Sequence, residues 1–200
     1  TDVSHFRLSL HLLTALFLLA CLVWTARDMR RLARNPSAPP APMTWQSGIV
    51  AVVLFIQLLL GAWVAGLNAG HAAYDWPTMN GQIIPQVNWD YGVFWVLTHD
   101  SYVLHFLHRW WAWIAVAALV WQARRVRKSD RMASIAVHSA FGVMVLLGIA
   151  TVLSEVELWI AAAHQLTGAL LVASTAWAMH SDGAAQQDKR LALSTSEAAA

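Results

Sequence analysis

The chain has 200 residues, of which 58% are hydrophobic and 12% charged, with a formal net charge of +2 and a mean hydropathy of +0.49. Soluble domains carry about a quarter charged residues, so this composition excludes an ordinary water-facing surface, and no nucleic-acid partner is expected. The one cysteine, Cys21, sits inside an apolar run, which rules out a disulfide framework or a cysteine metal site.

Five apolar stretches follow one another along the chain, over residues 8–26, 45–67, 102–122, 132–153 and 158–179. Each is close to the ~20 residues that cross a bilayer core. Twelve tryptophans suit a protein with two interfacial belts better than one compact core. The sequence opens at Thr1 almost directly into the first stretch, with no recognisable signal peptide, and reads as the continuation of a longer protein. The first linker, 27–44, is rich in arginine and then in proline, with Pro36, Pro39, Pro40 and Pro42 forbidding a continuous helix. The longest connection, 68–101, mixes aromatic and polar residues with Pro77 and Pro85.

Charge placement predicts the orientation. Arg27, Arg30, Arg31 and Arg34 fill the first linker, and Arg124, Arg125, Arg127, Lys128 and Arg131 fill the third. The long second linker has Asp75, Asp90 and Asp100 but no Lys or Arg, and the short fourth has Glu155 and Glu157. The positive-inside rule puts the first and third linkers and the C-terminal tail in the cytoplasm or matrix, and Thr1 with the second and fourth linkers on the other side.

The first and last stretches are alike. His11-Leu12-Leu13-Thr14 parallels His164-Gln165-Leu166-Thr167, and with the histidines aligned Ala20 meets Ala173 and Trp24 meets Trp177. Either this is a coincidence between two Ala/Leu-rich helices, or two such helices running in the same direction imply a parallel duplication of a four-helix unit. The first stretch is then the last helix of one unit, and the other four make the second.

Of nine histidines, His11, His105, His108 and His164 lie inside the stretches, away from the inner rim. An ionisable or metal-binding side chain inside a bilayer is a functional candidate, because burial without a partner is costly. His108 and His164 sit about 10 Å below the outer helix ends at 1.5 Å per residue, on parallel helices, where two imidazoles can ligate one six-coordinate haem iron. The residue four positions on shares a histidine's face. It is small after His11 (Ala15), His108 (Ala112) and His164 (Gly168), leaving room for a flat macrocycle, but it is Arg109 after His105. His108 is therefore the expected ligand and His105 a neighbouring or interface residue. The alternative is that these histidines only hydrogen-bond between helices. Arg109 is expected either to pair with a haem propionate or to snorkel to the headgroups, and Arg7 before His11 is open to the same two readings. His138 and His180 are expected to be structural, and His71 and His99 solvated. Trp76, Trp89 and Trp95 are candidates for a lid over the outer end of the site, or for simple interfacial anchors.

In order along the chain, several segments resemble haem A synthases. Residues 3–12, Val-Ser-His-Phe-Arg-Leu-Ser-Leu-His-Leu, are similar to that family's fourth helix, and residues 57–70 to its fifth. Tyr74-Asp75-Trp76-Pro77-Thr78-Met79-Asn80-Gly81 is similar to the loop that follows, His105-Phe106-Leu107-His108-Arg109 to the motif bearing one haem ligand, and His164-Gln165-Leu166-Thr167-Gly168 to the motif bearing the other. His105 stands in place of the usual glutamine, Asp75 of an asparagine and Thr78 of a leucine. No cysteine pair occurs in the outer loop.

The resemblance implies an all-α, polytopic membrane protein with five transmembrane helices here, four of them forming a haem-binding four-helix bundle. It implies an oxidoreductase whose N-terminal half oxidises the C8 methyl of haem O to the formyl of haem A, for cytochrome oxidase biogenesis, while the C-terminal half binds haem b. On that pattern His108 and His164 hold the haem b iron, with Arg109, Gly168 and Ala112 around them, and His11 is one iron ligand of the substrate haem. No catalytic residue is expected in this chain, which alone is expected to be inactive. The expected division is 1–26 (last helix of the first half), 27–44 (cytoplasmic linker), 45–180 (haem b domain with outer loop 68–101) and 181–200 (disordered cytoplasmic tail). Expected partners are the lipid bilayer, haem O synthase and the oxidase assembly route, an unidentified electron donor and a second copy of the chain. The expected location is the bacterial inner membrane with the haem site toward the periplasm, or the mitochondrial inner membrane in a eukaryote. Two other functions fit the composition: a b-type electron-transfer cytochrome, which needs a second histidine pair such as His11 with His105, and a cofactor-free transporter or scaffold, which needs polar groups through the full membrane depth.

Overall fold

Long apolar runs leave a backbone no partner but itself in lipid, so each run closes into a helix. The computed structural model describes residues 4–198 and shows six α-helices: α1 (His5–Arg34), α2 (Trp45–Gly66), α3 (Val93–His99), α4 (Ser101–Val126), α5 (Arg131–Leu153) and α6 (Leu158–Ala198). All but α3 are long and apolar enough to cross a membrane, making this a multi-pass membrane protein. Thr1, expected on the outer side, lies outside the described residues.

Polar residues start these helices by satisfying first-turn N–H groups that nothing else reaches. The Thr44 hydroxyl accepts from the Ser47 N–H at the start of α2 (3.1 Å). Asp100 accepts from Tyr102 and Val103 at α4 (both 2.9 Å). Asp130 accepts from Ala133 at α5 (3.0 Å), and Glu157 from Trp159 and Ile160 at α6 (2.9 and 3.0 Å).

In sequence order the long helices alternate in direction. α2 packs on α4, α4 on α5, and α5 on α6; α4 also touches α6, and α1 lies against both α2 and α6. The shared core holds Val50, Leu54, Leu119, Val137, Leu171 and, from α1, Leu16. Outward-facing Phe17, Leu22 and Leu146 are each about two-thirds exposed (67%, 68% and 68%), as a lipid-facing surface requires.

Two features differ from the sequence expectation. The segment 181–200, expected to be a disordered tail, continues α6 as helix to Ala198. Its first residues, Ser181 and Asp182, and His180 just before them are buried and bonded to other helices, and the following Ala, Gln, Lys and Leu residues are good helix formers. Residues 199–200 of that tail lie outside the described ones. The connection between α2 and α4 also has more order than its composition announced: a 3-10 turn (Ala69–Ala72) and α3, which starts after Gly92 at a φ of 82°.

The two ends of the molecule are built differently. The loop end carries the 67–100 connection. The opposite end, the arginine end, carries the 35–44 linker and the 127–130 turn, and ion pairs lace it together. Asp130 receives Arg27 (3.1 Å), Trp177 Nε1 (2.7 Å) and the Ser181 hydroxyl (2.8 Å). Asp182 receives Arg125 (3.1 Å) and the Thr44 hydroxyl (2.8 Å). Asp28 bonds His180 (2.9 Å) and the Ala41 N–H (3.2 Å), and Arg31 pairs with Asp188. Gly183 lets the linker lie directly on α6: a Cβ there would fall 1.9 Å from the Pro42 carbonyl oxygen. Gln122 is fully buried with neither end of its amide bonded; nothing in the structure explains it.

Candidate functional site

His108 is the eighth residue of α4 and His164 the seventh of α6, so both lie about 10 Å in from the loop-end start of their helices at 1.5 Å per residue. α4 and α6 touch, and the two half-buried imidazoles are within electrostatic reach of each other.

What each imidazole lies against is a glycine on the neighbouring antiparallel helix. A Cβ on Gly61 of α2 would meet His108 Cε1 at 2.8 Å, and one on Gly148 of α5 would meet His164 Cε1 at 3.1 Å. Real Cβ contacts essentially never reach 2.8 Å and are seldom as short as 3.1 Å, so the ring of His108 fills the side-chain space at Gly61 and that of His164 crowds it at Gly148. Both glycines sit in the same local sequence, Leu59-Leu60-Gly61 and Leu146-Leu147-Gly148. The pairs α2–α4 and α5–α6 thus present a histidine in the same way.

The ring nitrogens fit metal ligation. Gln57 places its side-chain amide on His108 Nδ1 (3.2 Å) and also reaches the His108 carbonyl (3.2 Å), while its own Oε1 is buried without a partner. The amide nitrogen contacts the ring on its Nδ1 side, so it orients the imidazole from the side away from Nε2. Histidine ligands are normally oriented by such an outer hydrogen bond. Nδ1 of His164 is buried with no hydrogen-bond partner. No group of three or more His, Cys, Asp or Glu side chains forms a bare-ion site among the described residues. Two histidines with a glycine behind each are a donor set for a metal that arrives with its own equatorial ligands.

Arg109, for which the sequence leaves open a propionate or the headgroups, bonds to the outer loop. Its Nη1 donates to the carbonyls of Asp75 (2.8 Å) and Thr78 (3.0 Å), its Nη2 to that of Ala73 (3.0 Å) and its Nε to His105 Nε2 (3.0 Å). Four of the five guanidinium hydrogens are used, so the side chain pins the outer loop onto α4, one residue from His108. It also lies over the Trp76 ring, 5.8 Å from its centroid. Arg109 is buried, so these bonds are made out of water. His105 serves as its acceptor, with Nδ1 buried and unpaired.

The loop that Arg109 holds is a tight turn around Asp75. That carboxylate accepts from the Thr78 hydroxyl and from the N–H groups of Asn80 (2.6 Å) and Gly81 (3.1 Å), which hold its pKa far below the usual carboxylate range. Asn80 and Gly81 have φ of 54° and 76°, the left-handed backbone that Asn and Gly adopt most readily. Tyr102 donates to the buried Met79 carbonyl and closes the loop on α4 from its other side.

The remaining candidates are dispersed. His11 is exposed on α1, as are Arg7 and Ala15. Gly168, expected to clear room beside His164, is buried, and a Cβ there would meet Met144 Cε at 3.3 Å; it serves α5–α6 packing. Ala112 is half-buried. His138 is exposed and donates Nδ1–H to the Ser134 carbonyl (2.8 Å). His71 bonds Tyr74. Trp95 stacks on His99 at 5.6 Å, and His99 in turn meets the buried His5 edge-on at 5.0 Å; Trp89 is half exposed. Gly61, Gly148 and Gln57 are the neighbours that sequence reasoning missed. The repeated Leu-Leu-Gly was the available signal, visible only when helices other than the histidines' own are searched.

A family model described as cytochrome oxidase assembly protein matches residues 1–176. Among curated relatives, the protein named heme A synthase in Erythrobacter litoralis is 71% identical over 94% of this chain and 56% of its own length. Those of Sphingopyxis alaskensis and Novosphingobium aromaticivorans, with the same name, are 53% and 49% identical, over 90% and 91% of this chain and 51% and 54% of theirs. The chain therefore spans about half the length of the curated relatives it matches. No solved structure matches it. With 176 of its 200 residues under the family model, the chain belongs to the cytochrome oxidase assembly protein family.

Proposed function

We propose that this chain is the C-terminal haem-carrying part of a haem A synthase, holding haem b between His108 and His164. The observation that carries the reading is the matched pair of imidazoles, each lodged on a neighbouring helix's glycine, at one depth on two touching helices. α2, α4, α5 and α6 form the bundle around that site. Gln57 orients His108, and Arg109 with Tyr102 holds the loop 73–79 over the loop-end mouth and keeps water from it. A bis-histidine haem there supplies one-electron transfer. On the same reading the whole protein oxidises the C8 methyl of haem O to the formyl of haem A for cytochrome oxidase. His11, exposed on α1, is an iron ligand of that substrate haem, completed by residues of the longer relatives beyond this chain. Haem O synthase delivers the substrate, and an electron donor reaches the haem b side. The loop end faces the periplasm and the arginine end the cytoplasm, as the positive-inside rule requires.

The test is a reduced pyridine haemochrome spectrum of the protein purified in detergent. Wild type should show a b-type signal, with His108→Ala and His164→Ala each losing at least about tenfold of it, and His138→Ala keeping it. Retention of the full signal in either ligand variant would sink the assignment. Haem-free, well-folded wild type would favour the scaffold reading instead.

A further inference from the structure

The arginines between α4 and α5 fall into two groups. Arg125 turns inward to Asp182. Arg124, Arg127 and Arg131 are exposed and have no carboxylate partner among the described residues. They converge with Ser134, His138 and Ser139 on one cavity of about 370 Å³ at the arginine end. Within α5, steps of three and four keep Arg131, Ser134 and His138 on one face, and the 127–130 turn brings Arg124 and Arg127 from the end of α4 beside it. Asp130, the nearest acid in sequence, is occupied by Arg27, Trp177 and Ser181.

The geometry points to a phosphate-binding site here, for the phosphodiester headgroup of an anionic lipid. Guanidinium forks match phosphate oxygens bidentately, and two serine hydroxyls add neutral donors. His138 lines the cavity and gives Nδ1–H to the Ser134 carbonyl (2.8 Å). What selects a lipid over a free anion is the surface beside the cavity. Ile135, which lines the cavity, is 45% exposed, and Met132 and Trp121, near the cavity residues in sequence, are 62% and 39% exposed. Apolar side chains adjoining a cationic pocket at the end of a span suit acyl chains below a phosphate. Arg30 and Arg34 on α1 are also without a carboxylate partner but do not line this cavity, so they provide a control of equal charge.

The experiment is native mass spectrometry of the full-length protein released from phosphatidylcholine bilayers with or without phosphatidylglycerol. Three forms are compared: wild type, R127Q/R131Q and R30Q/R34Q, with thermal melts as the folding check. Wild type and R30Q/R34Q should retain phosphatidylglycerol, and R127Q/R131Q should retain on the order of tenfold less. A parallel melt series with inorganic phosphate separates the sources. Stabilisation by phosphate that depends on Arg127 and Arg131, with no lipid retained, would keep the phosphate chemistry and replace the headgroup by a free anion. Equal losses in the two double variants would overturn the site and leave only diffuse charge. Should R127Q/R131Q fail to fold, His138→Gln and R124Q carry the same comparison with less charge removed.

Discussion

The loop end and the arginine end use ionisable groups in opposite ways. At the arginine end, carboxylates meet donors from several helices, and Asp130 alone takes a guanidinium, an indole and a hydroxyl. At the loop end the histidines are held in place while His105 Nδ1, His164 Nδ1 and Gln57 Oε1 stay unpaired. Unpaired buried polar atoms occur at both ends, since Gln46 Oε1, the Gln122 amide, Thr175 Oγ1, His180 Nδ1 and nitrogens of Arg27, Arg31 and Arg125 lie toward the arginine end. The contrast is in charge pairing, which among the described residues is confined to the arginine end. It separates a latch that ties α1 to the rest from a site that α4 and α6 present.

The comparison breaks most sharply at Asp130. Asp130→Ala removes the cap of α5 and strands the Trp177, Ser181 and Arg27 donors together, so a loss of about 3 kcal/mol is expected, seen as a lower melting temperature with α1 exchanging first. Haem content should change much less than stability. The carboxyl also sets a pH dependence. Burial alone would raise its pKa, but the Ala133 N–H, Ser181, Trp177 and Arg27 together hold it below the ordinary value of 3.8. A depressed carboxylate pKa contributes stability that is complete above the unfolded value and is lost as pH falls through the folded one. The latch should therefore hold at neutral pH and loosen only in acid below about 4, a loss that Asp130→Ala abolishes.

At the other end the test is the asymmetry between the two glycines. Gly61→Ala puts a methyl 2.8 Å from His108 Cε1, and Gly148→Ala puts one 3.1 Å from His164 Cε1. The first forces a ring shift and the second a smaller adjustment. Haem retention should fall on the order of tenfold in Gly61→Ala and only a few fold in Gly148→Ala, read from haem-to-protein ratios. Equal, negligible effects would mean that the rings have room to move and that the glycines serve helix packing alone.

The five long helices were legible because length, apolarity and flanking arginines are local properties of a sequence. Boundaries agree to within a few residues at 45–67 against Trp45–Gly66 and at 132–153 against Arg131–Leu153. The tail was not legible, since its helix is anchored by Ser181, Asp182 and Gly183 meeting residues more than fifty positions away. The candidate site divides along the same line. The depth of His108 and His164 can be counted from helix ends, and Arg109 declares itself by sequence position. What Arg109 touches depends on how the Asp75 turn folds back, and no periodicity reports that. The small residues at i+4 lie on the histidines' own helices, whereas those in contact, Gly61 and Gly148, come from across the interface.

Arg109 tests whether the loop end needs its cover. Lysine keeps the charge but is a point donor without the planar fork that reaches three backbone carbonyls and His105 at once. Arg109→Lys should speed hydrogen exchange of residues 73–79 by about tenfold, the loss of 1–2 net hydrogen bonds, with His108 still ligating. If the haem signal falls as far as in His108→Ala, the guanidinium acts on the haem itself and the clamp is not its main role.

The smallest effect is expected at Asp75, inside the same loop. Asp75→Asn keeps one carbonyl oxygen for the Asn80 and Gly81 N–H groups but loses the charge and the second acceptor, so exchange protection across 75–81 should fall only a few fold at neutral pH. The acid response separates this variant from wild type. The Thr78 hydroxyl, followed by the Gly81 and Asn80 N–H groups, holds the Asp75 carboxyl far below its ordinary range. Its ordering of the loop is therefore complete above the usual carboxylate pKa and fades only as pH falls through the depressed value. Protection factors of the two proteins should differ steadily through the neutral and mildly acid range and converge only in strong acid. Convergence already near pH 4 would mean that the turn is held chiefly by Arg109 and Tyr102 from outside, and that the carboxylate follows the loop's shape without setting it.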